Sequence, residues 1–281
     1  MLGTIFLEVI TLNSLTFTLE PASAETLADL LALLTDRVKA AAGLRDLEER
    51  LAGGKLALAQ TLILRSERGV EGSIILPDHP RIPLIPTYRA DTPPDAVTTL
   101  ARALRERAAP QQQLLLTNAC APLEPAPLEV AGWQLDSQYM TYATDLSAHP
   151  APPDALAQAV DADRPDIRAL LERLGRAEWS FKEDWTLIAL PDASGSMAAL
   201  GAVGPSGRPD WASIDLIGVQ PQARGQGLGT RLHAHLLGLA AQEFAHHGGG
   251  TGADNQAMRR IFAKSGSRHT DTQMYFKLAE N

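Results

Sequence analysis

Ile214 to His235 reads IDLIGVQPQARGQGLGTRLHAH, and the glycine run inside it limits the fold more than any other stretch. Ile214 to Val219 is apolar with several β-branched residues, which predicts a strand. Pro221 ends that strand, and Gly225, Gly227 and Gly229 lead into a segment with helical periodicity. A strand that turns through glycines into a helix leaves unpaired backbone N–H groups and a positive dipole end at the turn. Residues without Cβ let an anion approach those groups, so the segment predicts a seat for a pyrophosphate.

Spacing separates three kinds of nucleotide loop. A P-loop requires Gly-Lys-Ser/Thr, whereas this loop continues Leu228-Gly229-Thr230-Arg231 without lysine. A dinucleotide fingerprint requires GxGxxG and an acid about 20 residues further on, after the next strand. Here the glycines run GxGxG, and Glu243 falls inside the predicted helix. The third pattern is V-x-P-x-x-R-G-x-G-x-G, matched by Val219, Pro221, Arg224, Gly225, Gly227 and Gly229. It resembles the acyl-CoA loop of the GNAT (Gcn5-related) N-acetyltransferase superfamily. A second segment, GTGADNQAMRRIFAKSG, is similar to the family's next motif, with Asn255, Met258, Ile261, Phe262, Lys264 and Gly266 at matching positions. The alternative for the glycine run alone is a tight strand-to-helix turn with no ligand.

The resemblance implies an α+β fold in which a mostly antiparallel mixed sheet is flanked by helices. It implies acetyl transfer from acetyl-CoA, as co-substrate, to an amine of a small molecule or peptide by direct attack. The backbone of Leu216, Ile217, Gly218 and Val219 would face the pantetheine, and Arg224, Gly225, Gln226, Gly227, Leu228, Gly229 and Thr230 would hold the pyrophosphate. Asn255 would bond the pantetheine or the acceptor; as a helix N-cap it has a purely structural alternative. Asp215 is the candidate base, and an ordinary strand-edge salt bridge is its alternative. The family often places a thiolate-protonating tyrosine where this chain has Phe262, which also belongs to the expected binding segment. Tyr275 or a water is then left as the acid. The competing reading, from another functional class, is a non-catalytic acyl-CoA sensor.

The chain also carries a degenerate internal duplication. GWQLDSQYMTY (Gly132 to Tyr142) matches GSRHTDTQMYF (Gly266 to Phe276), pairing glycine with glycine, Met140 with Met274 and Tyr142 with Phe276. Each is expected to form closing strands of one domain. Where the second half has VQPQARGQGLGT, the first has PTYRADTPPDAV, whose Pro93 and Pro94 remove donors. The expected organisation is two tandem GNAT-like domains, 1–146 without a phosphate loop and 147–281 binding acetyl-CoA, with a Pro-rich boundary near Ser147 to Asp154. In the first, a strand over Thr16 to Pro21, a helix over Ala24 to Leu34, a hairpin around Glu67-Arg68-Gly69, a strand over Arg81 to Thr87 and a helix over Asp95 to Ala108 are expected.

Charge and composition exclude several partners. The net charge of −8 argues against nucleic acid or an anionic membrane surface. Between Gln220 and Arg268, however, six bases face only two acids, which suits a polyanionic ligand. Cys120 is the single cysteine, so no internal disulfide forms, consistent with a cytoplasmic protein. The apolar start MLGTIFLEVI lacks a basic region and is interrupted by Glu8, so a secretion signal is not expected. No metal is expected, since the rings of His233 and His235 point apart on a helix. His246-His247 are expected to cap a helix C-terminus. A monomer is expected, with a dimer as the alternative, because two fused copies can satisfy internally the contacts that single-domain relatives make by dimerising.

Overall fold

A computed structural model describes residues 8–12, 15–33, 37–147, 149, 154–180 and 182–279. The chain forms a mixed α/β fold of two sheet-plus-helix modules. Contacts divide it into one unit of Met1–Gln138 with Asp271–Asn281 and a second of Tyr139–Thr270.

The first unit begins with strands β1 (Glu8–Leu12) and β2 (Leu15–Pro21), a 3-10 turn at Leu27–Leu31, and helix α1 (Arg37–Ala52). Strands β3 (Thr61–Ser66), β4 (Gly69–Ile75) and β5 (Thr87–Tyr88) complete an antiparallel sheet in the order β1-β2-β3-β4-β5. Helix α2 (Pro94–Arg107), strand β6 (Leu114–Thr117), helix α3 (Ala126–Val130) and strand β7 (Trp133–Asp145) follow. The second unit adds β8 (Gln158–Ala159), α4 (Pro165–Arg173), β9 (Thr186–Pro191), β10 (Met197–Pro205), β11 (Trp211–Val219), α5 (Leu228–Ala240), β12 (His246–Gly252), α6 (Gln256–Lys264) and β13 (Arg268–Leu278). Three antiparallel strands, a helix, a strand, a helix and a long strand occur twice in the same order. The duplicated glycines recur in geometry too: Gly132 and Gly266 both take positive φ between a helix and a long strand.

Several expectations are corrected. The helix over Ala24 to Leu34 is only a 3-10 turn, because Ser23, Thr26 and their neighbours engage one another's backbone through hydroxyl bonds; Leu34 lies outside the described residues. Arg81 to Thr87 is mostly coil, tied by one parallel bridge between Leu84 and Leu114. Past their glycines, Gly132 to Tyr142 and Gly266 to Phe276 each run into one long strand, not a pair. The compact units have bounds that are not linear in the chain, which leaves the division at residue 147 as an expectation. Tyr139–Asp145 of β7 pairs antiparallel with β12, while Gln273–Phe276 of β13 pairs with β6. Each long strand therefore changes unit along its length, and the chain's last residues return to the first unit. The boundary segment itself falls largely outside the described residues.

Each unit has its own core. In the first, α2 packs Val97, Leu100, Ala101 and Leu104 against Leu62, Leu64, Trp133 and Phe276. In the second, Leu232, Leu236 and Leu237 of α5 are fully buried beside Leu190 and Ala199. Burial of each such leucine is worth about 1.5–3 kcal/mol, enough to fix where α5 begins. On the other sheet face, Ile167, Leu170 and Leu171 of α4 cover Leu187, Leu200 and Leu216.

Candidate functional site

The site arises where two parallel strands part. Strands β11 and β12 pair only at Trp211–His246, Ala212–His247 and Ser213–Gly248; beyond that β11 runs on to Val219 without a β12 partner. At the same place the β10–β11 register shifts, with Ala202 opposite Leu216 and Val203 opposite Ile214, so Asp215 is the extra residue of a bulge. The gap left by the parting strands widens into a cavity of about 710 Å³. Its lining runs from Leu216 through Val219, over the glycine turn to Thr230, and along one side of α6 from Asn255 to Lys264.

The turn is open for a stated reason. Gly227 is the N-cap of α5 with φ 80° and ψ 0°, and Gly225 has φ 79°. A side chain is strained in that left-handed region, so glycine is required. A Cβ built at either position meets nothing within 4 Å, so the space over the turn is free. No side chain caps α5, and its first backbone bond runs from Arg231 N to Gly227 O at 3.0 Å. The N–H groups of Leu228, Gly229 and Thr230 therefore precede the helical ladder and stay available to an anion. Arg224 Nε donates to Val219 O at 3.2 Å, which holds that cation at the lip of the turn.

Four cations line the cavity, Arg176, Arg224, Arg260 and Lys264, with no carboxylate among the lining residues. Sequence reasoning passed over Arg176 because it stands in the segment after α4, far from either motif. The signal for it is packing: a Cβ on Gly218 would meet Leu174 Cδ1 at 2.8 Å, so this glycine lets the α4 end settle onto β11. Of the six bases between Gln220 and Arg268, Arg224, Arg260 and Lys264 line the cavity. Arg231 is instead bound to Asp154 by two bonds of 2.8 and 3.0 Å, and the guanidinium holds the Asp154 carboxyl below its ordinary range. Arg259 donates to Ala253 O at 3.1 Å.

The residues singled out from sequence fall into distinct places. Leu216, Ile217, Gly218, Val219, Arg224, Gly225, Gly227, Leu228, Gly229, Thr230 and Asn255 line the cavity, while Gln226 is exposed and outside the lining. Asn255 is also the N-cap of α6, its Oδ1 accepting from Met258 N at 3.1 Å, so the structural and site roles coexist. Asp215 is exposed outside the lining, and Oδ2 accepts from Trp179 Nε1 at 3.2 Å. Phe262 is 2% exposed and stacks on Tyr142 with centroids 4.3 Å apart, so it belongs to the core behind α6 rather than to the cavity wall. Tyr275 lies in the first unit, opposite Leu115, with its hydroxyl donating to Gln273 Oε1 at 3.2 Å. It is not among the residues lining the cavity.

The histidines follow a different pattern from the one expected. His246 and His247 lie in β12, not at a helix end. His247 is 1% exposed and His233 fully buried, with their rings 5.8 Å apart in a T-shaped arrangement. Burial, with His247 and His149 nearby, pushes His233 down to about 3; burial, with His149 nearby, pushes His247 down to about 4. Their Nδ1 atoms bond Ser265 Oγ at 2.8 Å and Thr144 Oγ1 at 3.2 Å, while both Nε2 atoms lack partners. Among the described residues there is no group of three or more His, Cys, Asp or Glu able to hold a metal. Among the same residues no helix is long and apolar enough to cross a membrane.

Residues 158–266 match the model of the Acetyltransferase (GNAT) family. No curated protein matches the chain significantly. Among solved structures, it is similar to a GCN5-related N-acetyltransferase from Sphaerobacter thermophilus, at 16% identity and a TM-score of 0.53, covering 92% of this chain and 94% of that one. A functionally unknown conserved protein from Staphylococcus epidermidis is similar at 12% identity and a TM-score of 0.50, covering 75% and 92%. A GCN5-related N-acetyltransferase from Kribbella flavida follows at 15% identity and a TM-score of 0.48, covering 75% and 87%. The parting strands, the bulge and the glycine turn all lie inside the matched segment, and the chain carries the GNAT-superfamily acetyltransferase fold.

Proposed function

We propose that the second unit binds acetyl-CoA in the cavity at the start of α5 and transfers the acetyl group to an amine of a small molecule or peptide. The observation that carries this reading is the coincidence, in one cavity, of the stretch of β11 that pairs with β10 but has no β12 partner and the open N-terminus of α5. The first supplies free backbone groups for a pantetheine amide, and the second supplies N–H donors for a diphosphate.

Bound acetyl-CoA supplies a thioester carbonyl with a good leaving group. A C–N bond forms to the amine as the C–S bond breaks, and one proton must leave the amine. We assign that proton to Asp215, the bulge residue that precedes Leu216, the first cavity residue of β11, in the chain. The Trp179 indole, donating to Oδ2, fixes its orientation. The departing thiolate is left to water: Phe262 has no proton and sits in the core, and no tyrosine, histidine or carboxylate lines the cavity. Asn255 is assigned to hold the ligand through its amide NH2, since Oδ1 caps α6.

That missing acid favours the second reading, a non-catalytic acyl-CoA sensor. A thiol-release assay with acetyl-CoA and a panel of amines separates the two. Steady, amine-dependent release supports transfer; tight binding of acetyl-CoA without amine-dependent release supports the sensor and overturns transfer. Within the transfer reading the protein is a cytoplasmic monomer, with a dimer as the alternative, and the first sequence half, 1–146, is a degenerate copy with a structural role.

A further inference from the structure

We infer that Arg260 and Lys264 form a second anion subsite on α6, separate from the glycine turn, that binds the 3′-phosphate of the coenzyme. The inference rests on the coenzyme reading above and deepens it, since it restricts the ligand to 3′-phosphorylated CoA thioesters.

Both side chains are exposed and line the cavity. They stand four residues apart on α6, so they share one face, with Cβ atoms about 5–6 Å apart. Two cations at that spacing repel each other, and neighbouring carboxylates usually relieve the repulsion. Here none does: among the described residues no ion pair involves either one. The two acids of the region, Glu243 and Asp254, are absent from the lining. An unneutralised pair of cations on a cavity wall is matched by a dianion.

Charge and position assign that dianion. A diphosphate diester carries about one negative charge per phosphorus, which backbone N–H groups and the single Arg224 can satisfy at the glycine turn. A phosphate monoester carries about −1.5 to −2 at neutral pH and needs more cationic charge than a backbone turn offers. Two bases within one helical turn meet that need. The cavity wall also holds Ala257, Met258 and Ile261 on the same helix, an apolar strip suited to a purine. The third base of α6, Arg259, donates to Ala253 O and does not line the cavity, so it serves as the internal control.

Calorimetric titration of the full chain with acetyl-CoA and with acetyl-3′-dephospho-CoA tests this directly. Wild type is expected to bind the 3′-phosphorylated ligand roughly tenfold to thirtyfold more tightly. Arg260→Gln with Lys264→Gln is expected to bring that ratio to about one to three, leaving affinity for the dephospho ligand within about twofold. Arg259→Gln is expected to keep the full ratio. Both cations are exposed, so an unchanged melting temperature in the double variant shows that folding is intact. Equal affinities in wild type, or a ratio untouched in the double variant, would overturn the subsite. A double variant that raised the KM for the amine and left coenzyme discrimination alone would overturn it too, by assigning the cations to the acceptor. If neither ligand binds wild type, the coenzyme reading itself fails and the subsite falls with it.

Discussion

The starts of α2 and α5 occupy the same place in the repeated order of elements, yet one is closed and the other open. Helix α2 starts with Pro93 at the N-cap and Pro94 at the first helical position. Two ring nitrogens replace two N–H donors, and their carbons stand where an anion would approach. Tyr88, 6% exposed, donates from its hydroxyl to Pro122 O, and its backbone N–H reaches Cys120 O at 3.1 Å. These contacts leave about 20 Å³ beside the helix start. At α5, Gly227 replaces proline, β11 and β12 have already parted, and about 710 Å³ remains. The same order of elements thus leaves an open cavity or a plug according to a few residues at one turn, so the fold alone does not fix function.

The largest effect tests whether the two sequence halves are also the two folding units. Phe276, near the C-terminus, is fully buried in the core of the first unit. Phe276→Ala is expected to destabilise that unit by about 3–5 kcal/mol, read by urea unfolding with exchange followed in α2. Loss of protection confined to the second unit would contradict the strand exchange.

Acidification should then separate the units. His233 and His247 are buried neutral, with folded values of about 3 and 4 against 6.5 when unfolded. Below 6.5 the unfolded chain binds protons that the folded chain refuses, so their stabilisation is lost as pH falls from 6.5 toward 4 and 3. Between pH 6.5 and 5 that amounts to about 2 kcal/mol per histidine. In the first unit burial opposes ionisation of Glu71, but the Arg68 guanidinium and the Ser66 hydroxyl outweigh it and hold the carboxyl below its ordinary 4.5. Its stabilisation is complete above 4.5 and disappears only as pH falls through the lowered value. At pH 5, hydrogen exchange is therefore expected to rise in α5 and β12 while β3, β4 and α2 keep their protection. Equal loss in both units, or earlier loss in the first, would contradict this.

Asp215→Asn sharpens the comparison on the chemical side, because it probes the proposed proton transfer at the open turn. We expect kcat to fall about tenfold to a hundredfold with little change in acetyl-CoA affinity. An unchanged kcat removes Asp215 from the reaction. The smallest expected effect is at the closed helix start. Pro93→Gly with Pro94→Ala restores donors but not volume, since Tyr88 still fills the site; no acetyl-CoA binding should be gained there by calorimetry. Any gained binding would show that proline alone closes the first site.

How much of this was legible from sequence depended on how local each signal is. The strand, glycine turn and helix at 211–240 were readable because residue types there are dictated by backbone conformation and by the helical period. Helix α1 was missed: its face is weakly patterned, with Gly43 inside it and charges spread around it. The bulge at Asp215, the pairing of β13 with β6 and the lining role of Arg176 were not readable. Each depends on which distant segment packs against it, and no local period encodes that. His233 and His247 show the same limit from the other side, since histidine reads as polar in sequence and only tertiary burial makes these two neutral core residues.

Calorimetric stoichiometry with acetyl-CoA, in wild type and in Gly227→Val, tests the account most directly. The account predicts one site per chain, with affinity reduced at least about a hundredfold by Gly227→Val, because a β-branched residue is strained at φ 80° and fills the open turn. Two sites per chain, or one site indifferent to Gly227→Val, would contradict the assignment of binding to the start of α5.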